Sequence, residues 1–183
     1  MVNSWSKSPT VFIDRDGVLN RSLVVNGKPF APRRYKDFKL YKDALPSLRV
    51  LKKNKFLVIV VTNQPDIGNG LTKFTEVELM HNKLLETNFI DKIYMCSHKQ
   101  TDDCSCRKPG IQMFTEAQKD FSIDMSTSWM VGDRWSDIRA GFDVGIKTIF
   151  IDHGYAETVG QIKPCVKVAN LKSAVTKILD ARV

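Results

Sequence analysis

No stretch of this chain approaches the roughly 20 consecutive apolar residues that an α-helix needs to cross a bilayer. Its apolar runs, such as FLVIVV at 56–61, are of strand length. The opening MVNSWSKSPT lacks the apolar segment of a secretory leader. Residues 1–9 are therefore expected to be a flexible start, with one domain over 10–183, long enough to bury a core without covalent staples. Cysteine is scarce, four in 183 residues, which excludes a disulfide scaffold and points to a cytoplasmic protein with reduced thiols. There is no internal repeat, no low-complexity tract and no G-x-x-x-x-G-K-[ST], so P-loop phosphate chemistry is excluded. Negative charge is in deficit, with 28 Lys and Arg against 20 Asp and Glu, a net +8. That surplus favours an anionic partner, whether phosphorylated metabolite, nucleic acid or membrane surface. The basic residues are nevertheless scattered, as on an ordinary solvated surface.

What is present alternates. TVFID (10–14), FLVIVV (56–61), IDKIYM (90–95), SWMVG (128–132) and KTIFID (147–152) are rich in β-branched and aromatic residues and read as strands. Between them lie helical spacings: Ala44, Leu45, Leu48 and Leu51 behind a capping Asp43, and Val77, Met80 and Leu84 behind a Thr75–Glu78 capping box. Phe114, Ala117 and Phe121 suggest another helix, as do the stretch after Ser136 and the series Leu171, Ala174, Val175, Ile178 and Leu179. Strand and helix in alternation predict an α/β fold, a doubly wound parallel sheet with helices on both faces. In such sheets ligands gather at the carboxyl ends of the strands. Here those ends read DRDGVLN, TNQ, a Cys/His cluster with RKPG, and GDRWSD.

Asp14 and Asp16 lie two apart where the first strand stops, and Asp133 arrives from another strand end. Three carboxylates suit a hard cation such as Mg²⁺. A carboxylate can also attack phosphorus, while a second donates a proton to the leaving oxygen and later activates water. Lys108 and Thr62 can supply the positive charge and hydrogen bonds that a transferring phosphoryl group needs. Each motif alone is equally compatible with an ordinary turn, since Asp, Asn and Gly are turn formers. Their joint placement at successive strand ends favours chemistry.

Cys96, His98, Cys104 and Cys106 follow C-x-H-x5-C-x-C, a donor set that fits a closed tetrahedral Zn²⁺ site of structural type. Arg107 and Lys108 follow the last ligand directly, so the metal is expected to aim both cations at a phosphate. Cys165 is remote and expected to pack, and neither His81 nor His153 has a neighbour that would make it a ligand.

VFIDRDGVLN, VVTNQ, CRKP and MVGDRWSD, in that order, resemble the four motifs of the haloacid dehalogenase superfamily of phosphohydrolases. The resemblance covers about residues 10–153. It implies Asp14 as nucleophile, Asp16 as general acid and base, Thr62 as a phosphoryl ligand and Lys108 as its counter-charge. It further implies a Mg²⁺ site of Asp14, Asp133 and the backbone carbonyl of Asp16, with Asp137 either supporting the metal or capping the following helix. The zinc pattern resembles the capless members that include heptose bisphosphate phosphatases and the histidinol-phosphate phosphatase domain. Asn20 and the insert RSLVVNGKPFAPRRYKDFKLY favour the heptose group, and the insert would fold over the site where a cap is missing. On that resemblance Arg21, Asn63, Gln64, Arg107 and Lys108 contact a small phosphorylated sugar destined for surface polysaccharide. Pro65, Asp66 and Asn69 depart from the Ser-Gly and Arg of that pattern. Small size and the missing cap argue for a monomer. Rival readings are histidinol-phosphate hydrolysis, 3′-phosphate removal from a polynucleotide and, outside enzymes, a zinc-stabilised nucleic-acid-binding module.

Overall fold

A computed structural model describes residues 7–156 and 162–182. Its central feature is a six-stranded, all-parallel sheet in the order β5-β4-β1-β6-β7-β8. The strands are β1 (Ser8–Ile13), β4 (Leu57–Asn63), β5 (Lys92–Cys96), β6 (Ile123–Gly132), β7 (Lys147–Ile151) and β8 (Val166–Val168). The insert supplies a separate antiparallel hairpin of β2 (Leu23–Val25) and β3 (Lys28–Phe30). Helices α1 (Ala44–Lys53), α3 (Phe74–Leu85), α4 (Gln112–Asp120), α5 (Trp135–Asp143) and α6 (Leu171–Asp180) cover the sheet, and a single turn, α2 (Pro65–Gly68), follows β4.

The strands are apolar throughout because both faces are buried, and successive residues serve opposite cores. Val11, Ile13, Val58 and Val60 pack with Leu48 and Leu51 of α1, Met80 and Leu84 of α3, and Val175 and Ile178 of α6. Phe12, Ile59, Val61 and Met130 face the other way, against Met113, Phe114 and Ala117 of α4 and Ala140 of α5. This is the doubly wound arrangement expected. Deleting a fully buried aliphatic side chain from either layer would cost about 2–5 kcal/mol.

Several local expectations are corrected. β1 begins at Ser8, and Ser8 and Pro9 pair with Ile123 and Asp124, so the start is ordered two residues earlier than foreseen; residues 1–6 lie outside the described residues. Asp43 stands at the N-cap position of α1 as expected, but its carboxylate makes no cap bond there and accepts the Lys172 amide at the start of α6 instead. Thr75 lies inside α3, whose N-cap is Lys73, so no capping box forms there. Phe121 sits just past α4 in extended backbone. Cys165 is exposed rather than packed, near Thr148. In each case a tertiary partner or a one-turn shift overrode a local signal.

Candidate active site

Three strand ends and the segment after the Cys/His loop meet at one edge of the sheet. Asp14 follows β1 directly, and the Lys108 ammonium donates to it over 2.7 Å. The same ammonium lies 2.6 Å from Asp137 and donates to the Val61 carbonyl over 2.6 Å. Lys108 is buried, so all three of its protons are spent on fixed acceptors. Asp137 also accepts the Arg134 amide, which makes it the cap of α5 as well as a partner of Lys108. It reaches both because Gly132 has no side chain; a Cβ there would collide with Asp137.

Asp14, Asp133 and Asp137 bring carboxylate oxygens within 4.8 Å of one another. Burial first, offset in part by Lys108, raises the Asp14 carboxyl to about 7. Burial and the Asp14 and Asp137 charges hold Asp133 well above the usual carboxylate range. Both Asp133 oxygens are buried without a hydrogen-bond partner among the described residues. Buried, unpartnered oxygens beside two further carboxylates are a donor set that fits a divalent cation.

Asp16 is held differently. Arg15, fully buried, donates to both of its oxygens at 2.9 Å, Asn20 donates at 2.8 Å and Gln64 at 2.6 Å. Gln64 also donates to the Thr62 hydroxyl at 2.8 Å, tying β4 to the β1 loop. His81 sits 3.1 Å from the other arm of Arg15. Burial first, then the Arg15 charge, depresses the imidazole to about 4, so it stands neutral.

The Cys/His loop forms the next wall. Cys96 Sγ lies 3.7 Å from Cys104 Sγ and 3.5 Å from His98 Nδ1, and Cys106 Sγ lies 3.2 Å from His98 Nδ1 and 2.9 Å from Cys96 Sγ. All four donor atoms fall within 4.8 Å of one another. A tetrahedron of sulfurs about 2.3 Å from zinc has edges of about 3.8 Å, so one ion fits once the Cys106 contacts open slightly. Past this cluster Asn63 pairs with the Lys108 backbone in both directions, donating at 3.1 Å and accepting at 2.9 Å. A cleft of about 490 Å³ opens above, lined by Asp14, Asp16, Arg107 and Lys108, by Lys28 to Ala31 of the hairpin and by Trp135 to Asp137.

The HAD-hydrolase-like family pattern matches residues 105–172. A probable D-glycero-D-manno-heptose-1,7-bisphosphate 7-phosphatase of Thermoplasma volcanium is 38% identical over 146 residues, spanning 77% of this chain and 95% of that one. The chain belongs to the haloacid dehalogenase-like phosphatase family. The histidine biosynthesis bifunctional protein HisB of Blochmanniella floridana is 35% identical over 144 residues, 76% of this chain but 40% of its own length. The D,D-heptose 1,7-bisphosphate phosphatase of B. bronchiseptica, solved with magnesium and phosphate, superposes with a TM-score of 0.81 at 21% identity, covering 94% of this chain and 99% of that one. This last likeness concerns the fold.

Within this family framework Asp14, Asp16, Arg107 and Lys108 are brought together on the cleft, with Asp133 buried beside them. Three candidate contacts fall elsewhere. Arg21 is exposed and does not line the cleft. Gln64 is buried and spends its amide on Asp16 and Thr62. Thr62 is itself buried beneath the site. Asn63 reaches the cleft wall but is engaged with Lys108. The departures also find partners: Asp66 accepts from Arg33 of the insert at 2.7 Å, and Asn69 donates to Gln100 of the Cys/His loop at 2.8 Å. Sequence reasoning missed the Arg15–His81 pair. An Arg between two functional carboxylates was the signal available for it.

Proposed function

We propose that this chain is a monomeric, cytoplasmic phosphatase that removes the 7-phosphate of a D-glycero-D-manno-heptose 1,7-bisphosphate for surface polysaccharide synthesis, using Mg²⁺ and a structural Zn²⁺. One observation carries the reaction: a buried lysine clamped between Asp14 and Asp137 on the floor of a cleft, beside the unpartnered Asp133 carboxylate. The substrate reading is supported by relatives of that name matched over three quarters of the chain.

Asp14 attacks phosphorus through a carboxylate oxygen, forming a P–O bond as the bond to the sugar oxygen breaks. Asp16 supplies the proton that this leaving oxygen takes up. In the second half Asp16 removes a proton from water, whose oxygen attacks phosphorus and releases Asp14. Lys108 offsets part of the cost of burying an ionised Asp14 and places positive charge beside the phosphoryl oxygens. Asp14, Asp133 and the Asp16 carbonyl would hold Mg²⁺, which when bound supplies positive charge for those oxygens. Arg107, one of whose guanidinium nitrogens is buried without a partner among the described residues, lines the cleft where a second anionic group would lie.

The test is phosphate release with Mg²⁺ from both heptose 1,7-bisphosphate anomers, histidinol phosphate and a 3′-phosphorylated oligonucleotide, with Asp14→Asn protein as blank. Preference for a heptose bisphosphate supports the proposal. Preference for histidinol phosphate keeps the reaction and replaces the substrate, and no release above the blank from any of them removes the reaction.

A further inference from the structure

His153 follows β7, outside the four strand-end motifs, yet its ring reaches the loop after β1. His153 Nε2 lies 2.7 Å from the Gly17 carbonyl oxygen. A carbonyl has no proton to give, so Nε2 carries the hydrogen and the imidazole donates. The ring is fixed in that pose, stacked on Tyr41 at 5.9 Å with planes 11° apart and tilted against Tyr155 at 5.2 Å.

Gly17 brings the nucleophile loop close against Asp133. Its φ is +86°, a left-handed value that glycine tolerates without strain, and a Cβ there would land on the Asp133 carboxylate. The loop is tied within itself by the Gly17 amide to Asn20 and by the Leu19 and Asn20 amides to the Arg15 carbonyl. His153 adds a tie from outside. Because β6 lies between β1 and β7, that tie passes over the end of β6, where Asp133 sits. Together with the Asp14 amide bond to the Val131 carbonyl, it holds the β1 loop against Asp133 from both ends of the loop.

We infer that His153 is a positioning residue for the phosphoryl-transfer site: by donating to the Gly17 carbonyl it sets the Asp14–Gly17 loop against Asp133, and so how well one divalent cation is shared between them. The inference rests on the reading above that these carboxylates take a cation. Outlying hydrogen bonds that orient a metal site are commonly worth about 10- to 100-fold in affinity or rate.

Two substitutions separate hydrogen bond from packing. His153→Phe keeps an aromatic ring beside Tyr41 and Tyr155 but has no donor; His153→Gln restores an N–H donor without the ring. With zinc-loaded protein and no substrate, Mn²⁺ alone is the probe, and its binding is followed by the loss of the free-ion paramagnetic signal. His153→Phe should weaken Mn²⁺ binding about tenfold and lower kcat with Mg²⁺ similarly, with KM little changed, whereas His153→Gln should recover most of both. Wild-type Mn²⁺ affinity in His153→Phe overturns the inference, and so does an equal loss in both variants, which would assign the effect to ring packing. Asp133→Asn is the separate control: if it still binds Mn²⁺ as wild type does, the cation-site reading itself falls, whatever His153 does.

Discussion

Two clusters of ionisable side chains share one edge of the sheet and are built in opposite ways. The thiol and imidazole donors all come from residues 96–106, a single loop that closes on itself. The carboxylates come from the ends of β1 and β6 and the first turn of α5, and the lysine that neutralises them is 94 residues from Asp14 in sequence. The first cluster has soft donors that one ion would satisfy, with little left for a substrate. The second has hard donors, buried oxygens left over and a cleft above it. A local cluster therefore stabilises a loop, whereas a cluster assembled by the fold is where reactive groups are held apart from solvent and against one another.

If that division holds, damage to the two clusters should separate. Asp14→Asn should lower turnover on the order of 10⁴-fold or more while leaving one zinc per chain by elemental analysis. Measurable turnover near wild type would end the nucleophile assignment. Lys108→Met comes next, with a loss of about 100- to 1,000-fold in kcat and about 3–5 kcal/mol of stability by denaturant titration, because two buried carboxylates lose their counter-charge.

Cys104→Ser should release zinc and lower the melting temperature, yet cost only about tenfold in rate. The reason is that Lys108 has anchors of its own in Asn63, Val61 and the carboxylates, so zinc governs Arg107 more than Lys108. An equal collapse of rate in Cys104→Ser and Lys108→Met would erase the distinction. The smallest effect is on stability against pH. In the folded chain Asp14 is raised from 3.8 to about 7, so its protonated form is favoured by folding. That contribution is complete below about pH 4 and is lost as pH rises to about 7. Without divalent cation, Asp14→Asn should melt with wild type near pH 4 and a few degrees above it at pH 8. Equal melting at pH 8 would contradict the burial argument.

The parallel sheet and the four strand ends could be read from the sequence because apolar strands and their polar stops are local patterns. The clustering of Cys96, His98, Cys104 and Cys106 was readable for the same reason. What could not be read were contacts that depend on how loops cross. The Asp43 carboxylate turns to an amide of α6 rather than of α1 because the two helices lie together on one face of the sheet. Gln64 points to Asp16, and His81 to Arg15, because β4 and α3 come to lie beside the β1 loop. Nothing in the spacing of those residues carries that information. His153 appeared isolated for the same reason, as its partner is a backbone carbonyl 136 positions away.

The strand order has a consequence for synthesis. β1 precedes β4 and β6 in sequence, but in the finished sheet it is flanked by both, and β6 ends only at Gly132. A nascent chain thus carries an apolar central strand that stays unpaired on one side until β6, which begins at Ile123, has been made. Such delayed, non-local pairing is slow and exposes strand edges. Chains truncated before β6 should therefore aggregate and lack activity.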